Sequence, residues 1–300
     1  MNNSRILRVS IVIPAHNEEH HLRACLEAIA EQTVRPFEVI VADNNSTDRT
    51  VAVAKSYPFV RVVHAKQQGI VFARDAGFNA VTGDIIGRID SDIMLPHDWV
   101  EHVQSFYANP DNLTKAWSGA GYFYNVRPAR LVSFAYGLLA FRLNKLLLGH
   151  YTLWGSNMAF PRAQWLDVRD DICDRVDIHE DLDLAIHLSQ KKYDIVYDTT
   201  IKTHAELRRV HNDRHKLWDY LQWWPRTLRI HGKKAWVICW FFGAFLLYIA
   251  TFMLLFVDKA AGGMKVERTN NVVPENAVRD RKRSRSGGAP RHSREIKLDI

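Results

Sequence analysis

Two hydrophobic periodicities alternate along residues 8–205. Apolar runs at 9–13, 37–42, 60–63 and 84–89 read as strands, and their continuous Val/Ile character fits a sheet covered on both faces. Between them, Leu22, Cys25, Leu26 and Ile29 share one face of a predicted helix, and Val71, Ala73 and 76–80 share a face of another. Gly83 is expected to end that second helix as its C′ residue. Strand–helix alternation with short connections predicts an α/β fold with a mostly parallel sheet and helices on both faces. Ligands of such sheets sit outside the carboxyl ends of the strands, so the residues after each strand are the first to read.

One stretch breaks the soluble pattern. Residues 235–257 (AWVICWFFGAFLLYIATFMLLFV) hold no charge over 23 positions, and a helix of that length can cross a hydrocarbon core about 30 Å thick. A transmembrane or membrane-inserted helix is expected there. The amphipathic, Trp/Arg-rich segment 206–234 before it suits a membrane interface, as does the largely apolar 131–148, which carries Arg142 and Lys145. Beyond 257 the chain turns to Gly, Ser, Pro and Arg, and 258–300 reads as a disordered basic tail.

Charge and cysteine content narrow the classes further. The net charge is +7, but 258–300 alone holds 11 Lys/Arg against 6 Asp/Glu, which leaves the other 257 residues at net +2. Nucleic acid is not an expected partner, because the tail lacks an aromatic platform or a known nucleic-acid fold. Cys25, Cys173 and Cys239 have no CxxC spacing, which excludes a disulfide framework and a zinc ribbon. Residues 1–8 lack an apolar core, so a cleavable signal peptide is not expected at this start.

The loops after the strands are acidic. Pro14-Ala15-His16-Asn17-Glu18-Glu19 follows the first, Asp43-Asn44-Asn45-Ser46-Thr47-Asp48 the second, and Asp90-Ser91-Asp92 the fourth. None carries GxGxxG or GxxxxGK[ST], which argues against a dinucleotide fold or a P-loop. Acidic loops repel a diphosphate unless a divalent cation lies between them. Asp-x-Asp offers two hard oxygen donors suited to Mg²⁺ or Mn²⁺.

In order and spacing, VSIVIPAHNEE, FEVIVADNNSTDRT, GIVFARDAGFNAVTGDIIGRIDSD, GSNMAFPR and HEDLDLAIHLSQKKYDIVYD resemble the motifs of the family 2 glycosyltransferases, inverting enzymes with the GT-A fold. The resemblance covers residues 8 to about 205, so 1–205 is the expected catalytic domain. It implies that Pro14, Ala15, Asn17, Glu18, Asp43, Arg74, Asp90 and Ser91 bind the nucleotide sugar. Asp92 and Asp90, with His204 after the strand that follows the Glu-Asp helix, would hold Mn²⁺ or Mg²⁺. Asp181 would be the catalytic base, and Glu180 with Gly155, Ser156 and Asn157 would face the acceptor.

The chemistry fits those roles. Displacement at an anomeric carbon needs a base for the acceptor hydroxyl and a cation for the leaving diphosphate. Burial would raise the Asp181 pKa and a helix N-terminus would lower it, and the sequence leaves that balance open. Asp183 lies about 200° around the helix from Asp181, so Asp183→Asn is expected to change turnover much less than Asp181→Asn. Trp154 could stack on a sugar or belong to the core.

The expected protein is an inverting transferase moving sugar from a UDP- or GDP-linked donor to a glycan or lipid-linked acceptor at a membrane. The alternatives are a polyprenyl-phosphate sugar synthase of the same family and a nucleotide-sugar-binding protein without turnover. Gln222-Trp223-Trp224-Pro225-Arg226 departs from the Gln-x-x-Arg-Trp of processive relatives, which argues against a polymer-extruding synthase. Six cations in 214–234 against three in 258–278 put the catalytic domain on the cytoplasmic side of a single-pass or monotopic anchor.

Overall fold

The strand β1 (Val9–Ala15) is buried at every position, because it has a neighbour on each side and helices on both faces. The computed structural model describes residues 6–124, 129–205, 214–233 and 236–237, so 206–213 and 234 of the predicted interfacial segment lie outside the described residues. Around β1 lie β2 (Glu38–Asp43), β3 (Val60–His64), β4 (Ile85–Arg88), β5 (Lys115–Phe123), β6 (Met158–Pro161) and β7 (Asp194–Ala205), in the order β3-β2-β1-β4-β6-β5-β7. β1–β2, β2–β3, β1–β4 and β5–β7 pair in parallel, while β6 runs antiparallel to both β4 and β5. The predicted mostly parallel α/β sheet is therefore present, and one strand runs against the rest.

Helix α1 (Leu22–Ala30) buries the four residues expected of it, Leu22, Cys25, Leu26 and Ile29. α2 (Thr50–Lys55) and α3 (Ile70–Ala80) follow β2 and β3. α4 (Trp99–Tyr107) lays Trp99 across Gly87, where any side chain would collide with the indole, and edge-on to Trp117. Gly83 does not end α3 in a left-handed conformation: the helix stops at Ala80 and Val81 is already extended. Gly83 is needed instead because Ser10 Oγ and the Arg8 carbonyl occupy the place of a side chain.

Residues 131–148 form three joined pieces rather than one helix. α5 (Ala129–Gly137) passes into a π-helical turn (Leu138–Leu143) and then α6 (Asn144–Leu148). Phe141 is buried and stacks on Tyr197 at 4.0 Å, while Phe134, Leu138 and Leu146 are exposed. α7 (Arg162–Val168) and α8 (Glu180–Gln190) precede β7, and α9 (Arg214–Ile230) follows it. α9 buries Trp224 and Leu228 against Leu182 and Ile186 of α8, and Val237 joins that cluster.

Among the described residues no helix is long and apolar enough to cross a membrane. Apart from residues 236–237, the predicted span 235–257 lies outside the described residues, as does the predicted tail 258–300.

Candidate active site

The strand-end loops singled out in the sequence stand at one edge of the sheet, because β2, β1 and β4 are parallel neighbours. The first two are laced together. Asn17 adopts a left-handed conformation (φ 55°), its side-chain oxygen accepts from Thr47 N at 2.8 Å, and its own N donates to Ser46 Oγ at 3.1 Å. Asn tolerates that backbone region better than most residues. Glu18 N donates to Thr50 Oγ1 at 2.7 Å. Pro14 and Ala15 are buried strand residues paired with Ala42 and Asp43.

Asp43 ends β2 almost completely buried. It accepts from Ser46 N at 3.3 Å, and its other oxygen lies 3.1 Å from His64 Nδ1. Beside it, Asn44 accepts from Gly69 N at 2.8 Å and donates to the Gln67 carbonyl at 2.7 Å. Gln67 and Gln68 line a cleft of about 540 Å³ that continues to Asp174 and Arg175.

The centre of the site is a residue the sequence reading passed over. Arg88, the last residue of β4, is 2% exposed and reaches three carboxylates. Its Nη1 donates to Asp181 Oδ1, and its Nη2 to Glu180 Oε1 at 3.1 Å and Asp90 Oδ1 at 3.2 Å. The signal was a cation at the end of an apolar strand, two residues before the DxD. Gly155 N donates to Asp181 Oδ2 at 2.8 Å, and Ser156 Oγ to Asp90 Oδ2 at 2.5 Å. Asp90, Gly155, Ser156, Glu180 and Asp181 thus form one network.

Arg74 is wholly buried and supports that network from α3. Its Nε donates to Asp75 at 2.8 Å and its Nη1 to the Glu180 carbonyl at 2.9 Å, while Nη2 has no hydrogen-bond partner among the described residues. Asn157 is fully buried with its amide spent on the fold. It donates to the Ala120 carbonyl at 3.0 Å and accepts from Trp99 Nε1 at 2.8 Å. Trp154 fills the space over Gly121 and packs edge-on to Phe123.

Ser91 is buried and Asp92 half-buried in the turn after Asp90. His204 is brought to that turn by its backbone, which pairs with Met94 through two 3.4 Å hydrogen bonds. Asp90, Asp92 and His204 offer hard oxygens and an imidazole within one short turn and its partner strand. That donor set fits Mn²⁺ or Mg²⁺ shared with phosphate oxygens.

The electrostatics resolve the balance left open at Asp181. Both acids open α8, yet their pKa values part. Burial raises Asp181; Arg88 opposes it, but Glu180 and Asp90 add like-charge repulsion, and the net direction is up. Burial also acts on Glu180, but Arg88, His179 and Arg74 outweigh it and hold that carboxyl below its usual range. A pair pushed apart in this way separates a permanent anion from a group that exchanges a proton near neutrality.

Asp183 is fully buried, and its carboxylate accepts from the Cys173 backbone N at 3.2 Å and lies 2.8 Å from His231 Nε2. The second contact is with a residue 48 positions away, which local spacing does not reveal.

The family model for glycosyl transferase family 2 matches residues 10–163. Glycosyltransferase GlyA of Streptococcus pneumoniae is 31% identical over 98 residues, 31% of this chain and 14% of that protein. Chondroitin synthase of Escherichia coli is 36% identical over 101 residues, 32% of this chain and 15% of that protein. The chain therefore spans well under a third of the length of either relative.

Among solved structures, the mannosyltransferase PcManGT from Pyrobaculum calidifontis, in complex with GDP-Man and Mn²⁺, aligns with TM-score 0.57 and 18% identity over 94% of this chain and 81% of that one. S. aureus TarS 1–349 in complex with UDP-GlcNAc aligns with TM-score 0.54 and 16% identity over 75% and 65%. These two likenesses concern the GT-A fold. With that fold, with acidic loops gathered at the carboxyl ends of its strands, and with a family model spanning half its length, the chain belongs to glycosyl transferase family 2.

Proposed function

We propose that this protein is an inverting, metal-dependent transferase that moves a sugar from a UDP- or GDP-linked donor to the hydroxyl of a glycan or lipid-linked acceptor. The observation that carries the reading is the buried Arg88 with Asp90, Glu180 and Asp181 around it, at the sheet edge where the nucleotide loops converge. Donors bound by the two solved neighbours named above support a nucleotide sugar.

Asp181, ionised, takes the proton of the acceptor hydroxyl on a carboxylate lone pair not used by Arg88 or Gly155 N. The acceptor oxygen then bonds to the anomeric carbon from the face opposite the diphosphate. The bond from that carbon to the diphosphate oxygen breaks, and its electron pair leaves with the diphosphate. Arg88 and Gly155 N fix the direction of the Asp181 carboxylate, and Glu180 keeps Arg88 charged and in place. Asp92, Asp90 and His204 would hold Mn²⁺ or Mg²⁺, which when bound neutralises the leaving diphosphate. The Asn17–Thr47 lacing preforms the nucleoside side, with Asp43 at the base or ribose.

The acceptor is placed at a membrane, with the catalytic domain on its cytoplasmic face. The charge-free run 235–257 and the exposed Phe134, Leu138 and Leu146 support this. The relative named chondroitin synthase supports a place in glycan polymer synthesis.

The test is donor hydrolysis and transfer by the purified full chain against a panel of UDP- and GDP-sugars with Mn²⁺. Turnover of one donor, lost in Asp181→Asn with donor binding retained, supports the reading. Binding without turnover by the wild-type chain leaves a nucleotide-sugar-binding protein.

A further inference from the structure

On the far side of α8 from Asp181, four side chains from three separate stretches of chain converge. Cys173 comes from the loop after α7, Asp183 and His187 from successive turns of α8, and His231 from the turn that ends α9. One ligand atom from each lies within 4.8 Å of all the others. Asp183 is fully buried and His187 is 9% exposed. Positions i and i+4 share a helix face, which is why these two point the same way.

Hydrogen bonding accounts for the group only in part. Among the described residues His187 Nε2 is buried with no partner at hydrogen-bond distance, and it stands 3.6 Å from Asp183 Oδ1. A buried polar atom left unpartnered carries a desolvation penalty, and native interiors rarely leave one without a reason. His231 Nε2 lies 2.8 Å from that same Asp183 oxygen, so two imidazoles converge on one carboxylate beside a thiol. The two imidazole rings meet edge to face, with centroids 5.0 Å apart at 77°.

We propose that Cys173, Asp183, His187 and His231 form a closed tetrahedral Zn²⁺ site that clasps the end of α9 to α8. The donor set is the argument for the metal: thiolate and imidazole are borderline-soft ligands that Zn²⁺ takes and Mg²⁺ or Mn²⁺ does not favour. Bond lengths of about 2.0–2.3 Å give ligand–ligand edges of about 3.3–3.8 Å in a tetrahedron. From the present spacing the widest separations, up to 4.8 Å, contract by about an ångström, and the 2.8 Å His231–Asp183 contact opens by about half an ångström. Charge also closes, since a thiolate and a carboxylate neutralise the dication in a buried place.

Binding breaks the Cys173 S–H bond, forms the Zn–S bond and releases one proton to solvent. The site shares no residue with Asp90, Asp92 and His204. Its consequence is mechanical, because His231 closes the helix that packs Trp224 and Leu228 onto Leu182 and Ile186.

The experiment uses the purified full chain, stripped with chelator, desalted and titrated with Co²⁺. The expected result is one equivalent of four-coordinate Co²⁺ with intense visible d–d bands and a thiolate-to-cobalt charge-transfer band, displaced by one equivalent of Zn²⁺. The charge-transfer band should vanish in Cys173→Ser, weaken in His187→Gln and persist in Asp92→Asn. An oxygen-ligated ion at the DxD turn would give no thiolate band. A wild-type chain that is folded by circular dichroism yet shows no thiolate band overturns the proposal. So does a band that survives in Cys173→Ser. Should that variant fail to fold, the wild-type spectrum and His187→Gln decide alone.

Discussion

Gly155 and Arg88 occupy a space that only one of them can fill with a side chain. A Cβ on residue 155 would lie 2.7 Å from Arg88 Nη2 and closer still to the rest of the guanidinium, while Gly155 N donates to the Asp181 carboxylate that Arg88 also holds. Three carboxylates tether Arg88, so it has little room to yield. Gly155→Ala should therefore lower stability by about 1–3 kcal/mol, the usual range for overpacking a filled interior. Turnover should fall further than donor affinity, since the displaced guanidinium also orients Asp181. Urea midpoints together with a kcat-against-KM comparison check both parts.

Arg88→Met leaves Asp90, Glu180 and Asp181 without their shared cation. Breaking one side of a buried ionic cluster typically costs about 3–5 kcal/mol. Burial and mutual repulsion would then raise the pKa values of the stranded acids above their unfolded values. Such groups add stability on the acid side, and that stability is lost as pH rises through their folded pKa. The deficit should therefore shrink toward acid, and denaturant melts of wild type and variant at pH 5 and pH 8 measure the difference.

Asp181→Asn preserves shape but removes the proton acceptor. Transfer should drop by about 10²–10⁴-fold, the usual general-base contribution, with donor affinity little changed. The base must be ionised to act, and its pKa is raised, so wild-type transfer should fall as pH drops through a value above the usual Asp range. That acid limb should be absent from the residual activity of the variant, and a pH–rate profile of both proteins reads it directly.

Chelation tests the DxD turn. EDTA should abolish transfer, and Mn²⁺ or Mg²⁺ should restore it, while Asp92→Asn should lose donor binding along with turnover. Calorimetric titration of the donor with and without Mn²⁺ is the measurement. Undiminished transfer in chelator would remove the metal from the mechanism.

Asp183→Asn, by contrast, should damage the fold rather than the chemistry. Burial acts to raise this carboxyl, but His187, His231 and Cys173 hold it well below the usual range. Its contribution to stability is present above the unfolded carboxyl pKa and lost as pH falls through the lower folded one. The variant should unfold at lower denaturant while keeping the acid limb of its pH–rate profile.

The legible parts of the site were those written locally. Strand patterning placed Asp43, Asp90 and Asp92 at the ends of β2 and β4, and the spacing of apolar residues on α1 named its buried face without error. What stayed hidden depended on distance in sequence. Arg88 gains its meaning from Glu180 and Asp181, more than 90 residues later, and Asp183 from His231. Gly83 looked like a helix end because a glycine near a helix usually is one, whereas here the neighbouring strand had taken its side-chain volume. The break at Leu138–Leu143 was concealed for a related reason: hydrophobicity counts alone do not distinguish an α-helical turn from a π-helical one.

A single reversal of chain direction decides at which rim of the sheet the Gly155 turn stands. Because β6 runs against β4, Met158 pairs with Arg88 and Pro161 with Ile85, so the chain enters β6 beside the place where it leaves β4. Had β6 followed its neighbours, the Gly155 turn would have opened at the opposite rim, about 13 Å away for a strand of this length. Asp181 would then face neither Gly155 N nor the donor's leaving group. The place of the Gly155 turn is therefore a property of topology before it is one of side chains, and under the proposed function a redesign that keeps every site residue but inverts that one strand should yield a donor-binding protein that transfers nothing.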